Sequence, residues 1–201
     1  MSEPGKAERR DALGMKRLFI AIKIHPDKGF IDSYRRLKAD LSHDKLKWVE
    51  DHNIHVTLKF FGETEEARIQ EIIRIMEETG PDCLPFRFRL KGTGIFGSRY
   101  DPRVIWVGID PFRETEKLMR MLRENLKTIG FEPDRQNLVP HLTLGRIRFI
   151  RDKNLFQEII ERHRDICSEE IPANSMILFE SILNKEGPVY LPLKTVPFGR
   201  S

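Results

Sequence analysis

The sequence predicts an α+β protein of two similar lobes related by a pseudo-twofold, with antiparallel-rich sheets facing a central cleft and helices outside. Two observations predict it. The tetrad His55-Val56-Thr57-Leu58 returns as His141-Leu142-Thr143-Leu144. The strand and helix patterns around the two copies also resemble each other, as an internal duplication would. In each tetrad polar and apolar residues alternate, the period of a half-buried strand. Residues i and i+2 of a strand share a face. Each copy therefore sets an imidazole beside a hydroxyl, with two aliphatic side chains anchored beneath.

The remaining elements follow from local pattern. Residues 1–14 are charged, hold Pro4 and Gly5, lack periodicity and read as a flexible tail; residues 15–201 read as one bilobal domain. KRLFIAIKI at 16–24 is a strand closed by His25-Pro26, and Asp27 is placed to cap a helix reaching about Leu41. Lys45–Val49 reads as a short strand, and the first tetrad lies in a strand that Gly62 stops. Thr64 is placed to cap a helix over 65–78 that Gly80-Pro81 ends. Phe86–Lys91 alternates as a strand, and residues 92–97 read as a glycine-rich turn before the buried strand 103–109. A helix over 111–129 ends at Gly130. The loop 132–140 leads into the second tetrad, a helix covers 153–163, and two closing strands, 175–183 and 188–195, flank a hairpin.

Composition narrows the function classes. The 201 residues are 39% hydrophobic and 33% charged, which suits a soluble fold with one substantial core. Apolar runs such as 104–109 are far too short to span a bilayer. The first residues have no apolar core of a secretory signal, so a cytoplasmic protein is expected. The formal charge of +4 is compatible with a polyanionic partner. Cys83 and Cys167 stand far apart without CxxC spacing, which supports neither a zinc site nor a disulfide framework.

A parity change aims an arginine. Leu142 and Leu144 are even-numbered, whereas the apolar Ile147 and Phe149 are odd-numbered. One strand keeps both sets on one face only with an extra residue between them. Gly145 sits at the change, and glycine often marks a bulge. The bulge would turn Arg146 and Arg148 onto the face of His141 and Thr143. In the first copy Val56, Leu58 and Phe60 stay in phase, which would put Lys59 and Phe61 on the face of His55 and Thr57.

Two histidines on facing strands suit base and acid work on opposite sides of one reacting atom. The threonines offer hydroxyl donors to non-bridging oxygens, and Arg146 offers a planar, charge-assisted fork for phosphate. Together these groups describe phosphoryl chemistry without a metal or other cofactor. No Asp, Glu or Cys accompanies either tetrad at ligand spacing. Arg87, Arg89 and Lys91 form a basic stripe that reads equally as a solvated strand face or an RNA-backbone track. Phe61 and Phe96 are candidates to stack a terminal base, though core packing suits each better. His25, His43, His52 and His163 read as solvated.

The segments HVTLKFFG, FGSRYDPRVIW and HLTLGR, with the opening KRLFIAIKI, resemble the 2H phosphoesterase superfamily and within it the bacterial and archaeal RNA 2′,3′-cyclic phosphodiesterases, also called 2′-5′ RNA ligases. The resemblance runs over about 15–198. It implies opening of a 2′,3′-cyclic phosphate at an RNA 3′ end to a 2′-phosphate, without a metal. It further implies His55 as proton donor to the departing 3′ oxygen and His141 as the base that activates water. Thr57 and Thr143 would hold phosphate oxygens, and Arg146 would match the family's arginine after the second motif. The expected partner is RNA with a cyclic phosphate terminus, bound by a monomer away from any membrane. The alternatives are a non-catalytic nucleotide or RNA-end binding module, and a 2H phosphodiesterase acting on another cyclic phosphate or a 2′-5′ oligonucleotide.

Overall fold

The computed structural model describes residues 14–98, 100–132, 139–184 and 187–199. All but Gly14 of the expected tail lies outside them, as do parts of the loop 132–140 and of the last hairpin. In chain order the elements are β1 (Met15–Lys23), α1 (Lys28–Asp40), β2 (Lys45–Trp48), β3 (His55–Glu65), α2 (Ile69–Thr79), β4 (Phe86–Gly97), β5 (Pro102–Asp110), α3 (Arg113–Lys127), β6 (His141–Phe149), α4 (Lys153–Arg162), β7 (Ile171–Ala173), β8 (Ser175–Leu183) and β9 (Pro188–Pro197).

Two antiparallel sheets hold these strands. One has the order β3-β1-β8-β9 and the other β2-β6-β5-β4-β7. The repeat is visible in them: β3 pairs with β1 as β6 pairs with β5, and β8 and β4 lie third in line. The lobes are not the halves of the chain, however. β2 leaves the first half to pair with β6, and the last two strands return to β1. Helices cross over too: Tyr34 of α1 donates its hydroxyl toward the carbonyl oxygens of Val49 and Leu144, while α3 packs near β3.

Strand parity explains the core. Leu18, Ile20 and Ile22 of β1, Val56 and Leu58 of β3, and Ile105 and Val107 of β5 are buried in one large cluster with the inner faces of all four helices. The alternate residues Phe19 and Ala21 form a second, smaller cluster with Phe179, which Ile177 and Tyr190 flank. That second face belongs to the cleft. β3 and β6 come close to each other across it. Asp27 caps α1 by accepting from the Phe30 amide at 3.0 Å.

Local expectations fail where tertiary pairing overrides them. Gly62 does not stop β3, which stays paired to β1 as far as Glu65. Thr64 is therefore a buried strand residue, not a helix cap, and a 3-10 turn (Glu66–Arg68) precedes α2. Residues 92–97 are not a turn but the continuation of β4, with a bulge at Gly92, whose φ of +78° favours glycine. The stripe of Arg87, Arg89 and Lys91 is ion-paired: Arg87 and Arg89 meet Glu170 at 3.0 and 3.8 Å, and Lys91 meets Asp110 at 3.1 Å. The solvated-face reading holds there.

Candidate active site

Both tetrads carry a bulge at the same place. In β3 the register passes from Thr57↔Ala21 to Lys59↔Ile20, leaving Leu58 as the extra residue. In β6 it passes from Thr143↔Trp106 to Gly145↔Ile105, leaving Leu144. Opposed residues of an antiparallel pair share a face. Thr57 thus lies with Ala21 on the cleft side, and Phe60 lies there with Phe19. Arg146 occupies the matching position in β6, so the expected reorientation of that arginine is present.

The expectation that the first copy has no shift is wrong, and two site assignments fall with it. Lys59 pairs with the fully buried Ile20 and so points to the helix side, where its Nζ donates to the Glu132 carbonyl at 3.3 Å. Phe61 packs against the main core and lies edge-on to Phe131 at 4.8 Å. Phe60, 43% exposed, is the residue that reaches the cleft, with the Arg17 guanidinium 5.0 Å from its ring centre. Gly145 also has a different purpose from the one read in the sequence. The first copy makes the same bulge with Lys59 in that position. A Cβ on Gly145 would meet the Trp48 ring at 2.8 Å, so the glycine makes room for Trp48 of β2.

The two histidines are held alike. His55 Nδ1 lies 2.6 Å from the Asn53 carbonyl oxygen, and His141 Nδ1 lies 2.8 Å from that of Val139, each two residues upstream. A carbonyl only accepts, so in the neutral ring Nδ1 carries the hydrogen and Nε2 is the basic nitrogen. Aromatic rings brace both. Phe19 and Tyr190 stand 5.0 and 5.3 Å from His55, and Phe96 and Trp106 stand 4.7 and 6.5 Å from His141. Burial lowers the pKa of His55 against the opposing pull of its Asn53 hydrogen bond. Burial also lowers that of His141, and the Arg146 charge pushes the same way. Burial raises the Tyr190 phenol, while Arg146 and Arg17 counteract it.

Thr57 and Thr143 make no hydrogen bond through their hydroxyls to any described residue, so both donors are available to a ligand. Arg146 lines a cavity of about 350 Å³ with Trp48, Asn53, Pro188 and Tyr190, joining the two sheets. A second cavity beside His55 brings in Lys23 and His52. Among the described residues no three His, Cys, Asp or Glu side chains converge as metal ligands would. Of the expected site residues, His55, Thr57, His141, Thr143 and Arg146 come to the cleft, and Phe96 stands beside His141. The sequence reading omitted Phe19, Phe60, Trp106, Phe179 and Tyr190. Period-2 alternation could have grouped Tyr190 opposite Val189 and Leu191, but which group faces the cleft depends on pairing.

The description "LigT like Phosphoesterase" matches residues 24–106 and again residues 108–190, one match for each His-x-Thr strand. The chain belongs to the LigT-like phosphoesterase family. Relatives of this phosphoesterase bear the name RNA 2′,3′-cyclic phosphodiesterase. That of Methanocaldococcus jannaschii is 32% identical over 178 residues, covering 89% of this chain and 98% of its own. That of Thermotoga maritima is 33% identical, covering 90% and 95%. Among solved structures, a Thermus thermophilus protein superposes with a TM-score of 0.73 at 24% identity, covering 92% of this phosphoesterase and 100% of its own chain. E. coli LigT in complex with 3′-AMP superposes with a TM-score of 0.71 at 20% identity, covering 92% and 99%. These structural likenesses speak to the fold. No helix of the described residues is long and apolar enough to cross a membrane.

Proposed function

We propose that this phosphoesterase hydrolyses 2′,3′-cyclic phosphate ends of RNA to 2′-phosphates by paired-histidine acid–base catalysis. The observation that carries the reading is the matched pair of imidazoles, each fixed through Nδ1 to a backbone carbonyl and each beside an uncommitted threonine hydroxyl. The relatives named RNA 2′,3′-cyclic phosphodiesterase support the substrate. In this reading His141 Nε2 takes a proton from water as its oxygen bonds to phosphorus. The P–O3′ bond breaks, and O3′ takes a proton from His55 Nε2. The product has a 2′-phosphomonoester and a free 3′-hydroxyl. Thr57, Thr143 and Arg146 donate hydrogen bonds to the non-bridging oxygens, where charge gathers in the transition state. A 5′-hydroxyl in place of water would leave a 2′-5′ phosphodiester by the same proton transfers.

The test is an oligoribonucleotide ending in a 2′,3′-cyclic phosphate, incubated with the protein in excess chelator. A 2′-phosphate product supports the reading and the donor role of His55. A 3′-phosphate reverses which ester bond breaks and overturns that role. No turnover with binding retained would leave a binding module.

A further inference from the structure

Arg146 does not close the cleft; it opens onto a second groove. That groove, of about 500 Å³, runs past the ends of β5 and β6 to the start of α4, and its lining includes Arg103, Arg146, Arg148, Lys153, Tyr100 and Phe149. Its charge is one-sided. Four cations face a single carboxylate, Asp101, which holds Arg103 at 2.7 Å. Arg148 has no acidic partner among the described residues, and Lys153 is turned only onto the Tyr100 carbonyl at 2.6 Å. Two rings stand open at the groove: Tyr100 is 79% exposed and Phe149 57% exposed. Unpaired cations along a groove with exposed aromatic rings suit a single nucleic-acid strand, its phosphates on the cations and its bases on the rings.

The two other basic or open surfaces near the site lack this combination. The cavity on the opposite side of Arg146 balances Lys47 with Glu50 and is walled by Trp48, Pro188 and Tyr190. The Arg87, Arg89 and Lys91 stripe is neutralised by Glu170 and Asp110. The chemistry of the substrate supplies a direction. A 2′,3′-cyclic phosphate is a 3′ terminus, so the rest of the polymer extends from it on the 5′ side alone and needs one exit.

We propose that the groove of Arg103, Arg148 and Lys153 beyond Arg146 is a phosphate track for the single-stranded RNA upstream of the cyclic phosphate, and so selects polymer over mononucleotide. The proposal rests on the hydrolase reading for its direction. Arg146 is shared: it faces the reacting phosphate on one side and begins the track on the other. Asp101 tempers the far end by holding Arg103.

Steady-state constants of Arg148→Ala, of Arg148→Ala with Lys153→Ala, and of Asp101→Asn are compared on two substrates. One is an oligoribonucleotide ending in a 2′,3′-cyclic phosphate, and the other is a nucleoside 2′,3′-cyclic monophosphate. The double variant is expected to raise the oligonucleotide KM by about tenfold and to reduce the salt slope of kcat/KM by about one. The monophosphate constants should stay where they are. Asp101→Asn frees Arg103 and should lower the oligonucleotide KM, a gain that damage to the fold would not give. Unchanged oligonucleotide constants, or equal losses on both substrates, would overturn the track. The same variants are also tested for binding a labelled single-stranded oligoribonucleotide with a 3′-phosphate. If the wild type turns over neither substrate, weaker binding by the double variant still supports the track while the hydrolase reading fails. Equal binding by wild type and double variant would overturn the track alone.

Discussion

The two lobes carry the same His-x-Thr strand in different company. In the first, Thr57 lies opposite Ala21, and Ala21 opposite Ile177; in the second, Thr143 lies opposite Trp106, and Trp106 opposite Gly94. Bulk has moved from the third strand to the second. A Cβ on Gly94 would come within 2.3 Å of the Trp106 ring, so the exchange is steric compensation. The next row holds Phe60, Phe19 and Phe179 in one lobe, against Arg146, Val104 and Phe96 in the other. Duplication therefore supplies two similarly held proton carriers, and their neighbours make them different. His55 sits against an apolar wall, whereas His141 sits beside a guanidinium.

The largest expected effects test the shared part of the comparison. His55→Ala and His141→Ala should each reduce kcat by about 10²–10⁴-fold, the usual worth of a general acid or base. Circular dichroism and Tm should stay close to wild type, because both rings border the cleft and not the main core. If either variant keeps near-wild-type turnover, the paired mechanism is wrong.

The next effects address the difference. Arg146→Ala removes a charge-assisted donor worth about 1.5–3 kcal/mol, and kcat/KM should fall by about 10–10²-fold. Phe60→Ala, at the equivalent position, should cost less than Arg146→Ala on the same substrate. Equal losses would mean that the two positions act alike and that the asymmetry is only steric. Gly94→Ala should cost about 1–3 kcal/mol of stability through overpacking against Trp106. That would lower Tm by about 2–4 °C per kcal/mol in a chain of this size. Adding Trp106→Phe should restore part of the loss, and a Tm that Gly94→Ala leaves untouched would refute the compensation.

The smallest expected effect is on pH dependence. The base must be neutral and the acid protonated. Burial lowers both histidines below the ordinary 6.5, so in the free enzyme both protons leave on the acid side of that value. The bell in kcat/KM should therefore be centred below pH 6.5. Bound phosphate favours imidazolium and should move the kcat bell to higher pH. Arg146→Ala removes a cation that depresses His141, so one limb should move upward by less than about one unit. A kcat/KM profile centred above pH 7 would contradict the desolvated site.

Much of this protein is written locally. Alternation at 55–58 and 141–144 is enough to place each histidine beside its threonine, because a strand's side chains alternate whatever it pairs with. The parity change around Gly145 is enough to turn Arg146 toward the cleft. Asp27 caps α1 from three residues away, and the repeated tetrads imply two lobes. Tertiary structure alone decided the rest. The bulge at Leu58 has no parity signal, since Phe60 and Phe61 are both apolar. Only the pairing of β3 with β1 shows that Phe61 goes to the core, Phe60 to the cleft and Lys59 to the helix side. The requirement for glycine at 145 lies in Trp48, nearly a hundred residues away in the chain, and that at 94 lies in Trp106. Tyr190 reaches His55 because the last strands return to pair beside the first. Contacts between distant strands depend on register, and register is set by the packing of whole sheets.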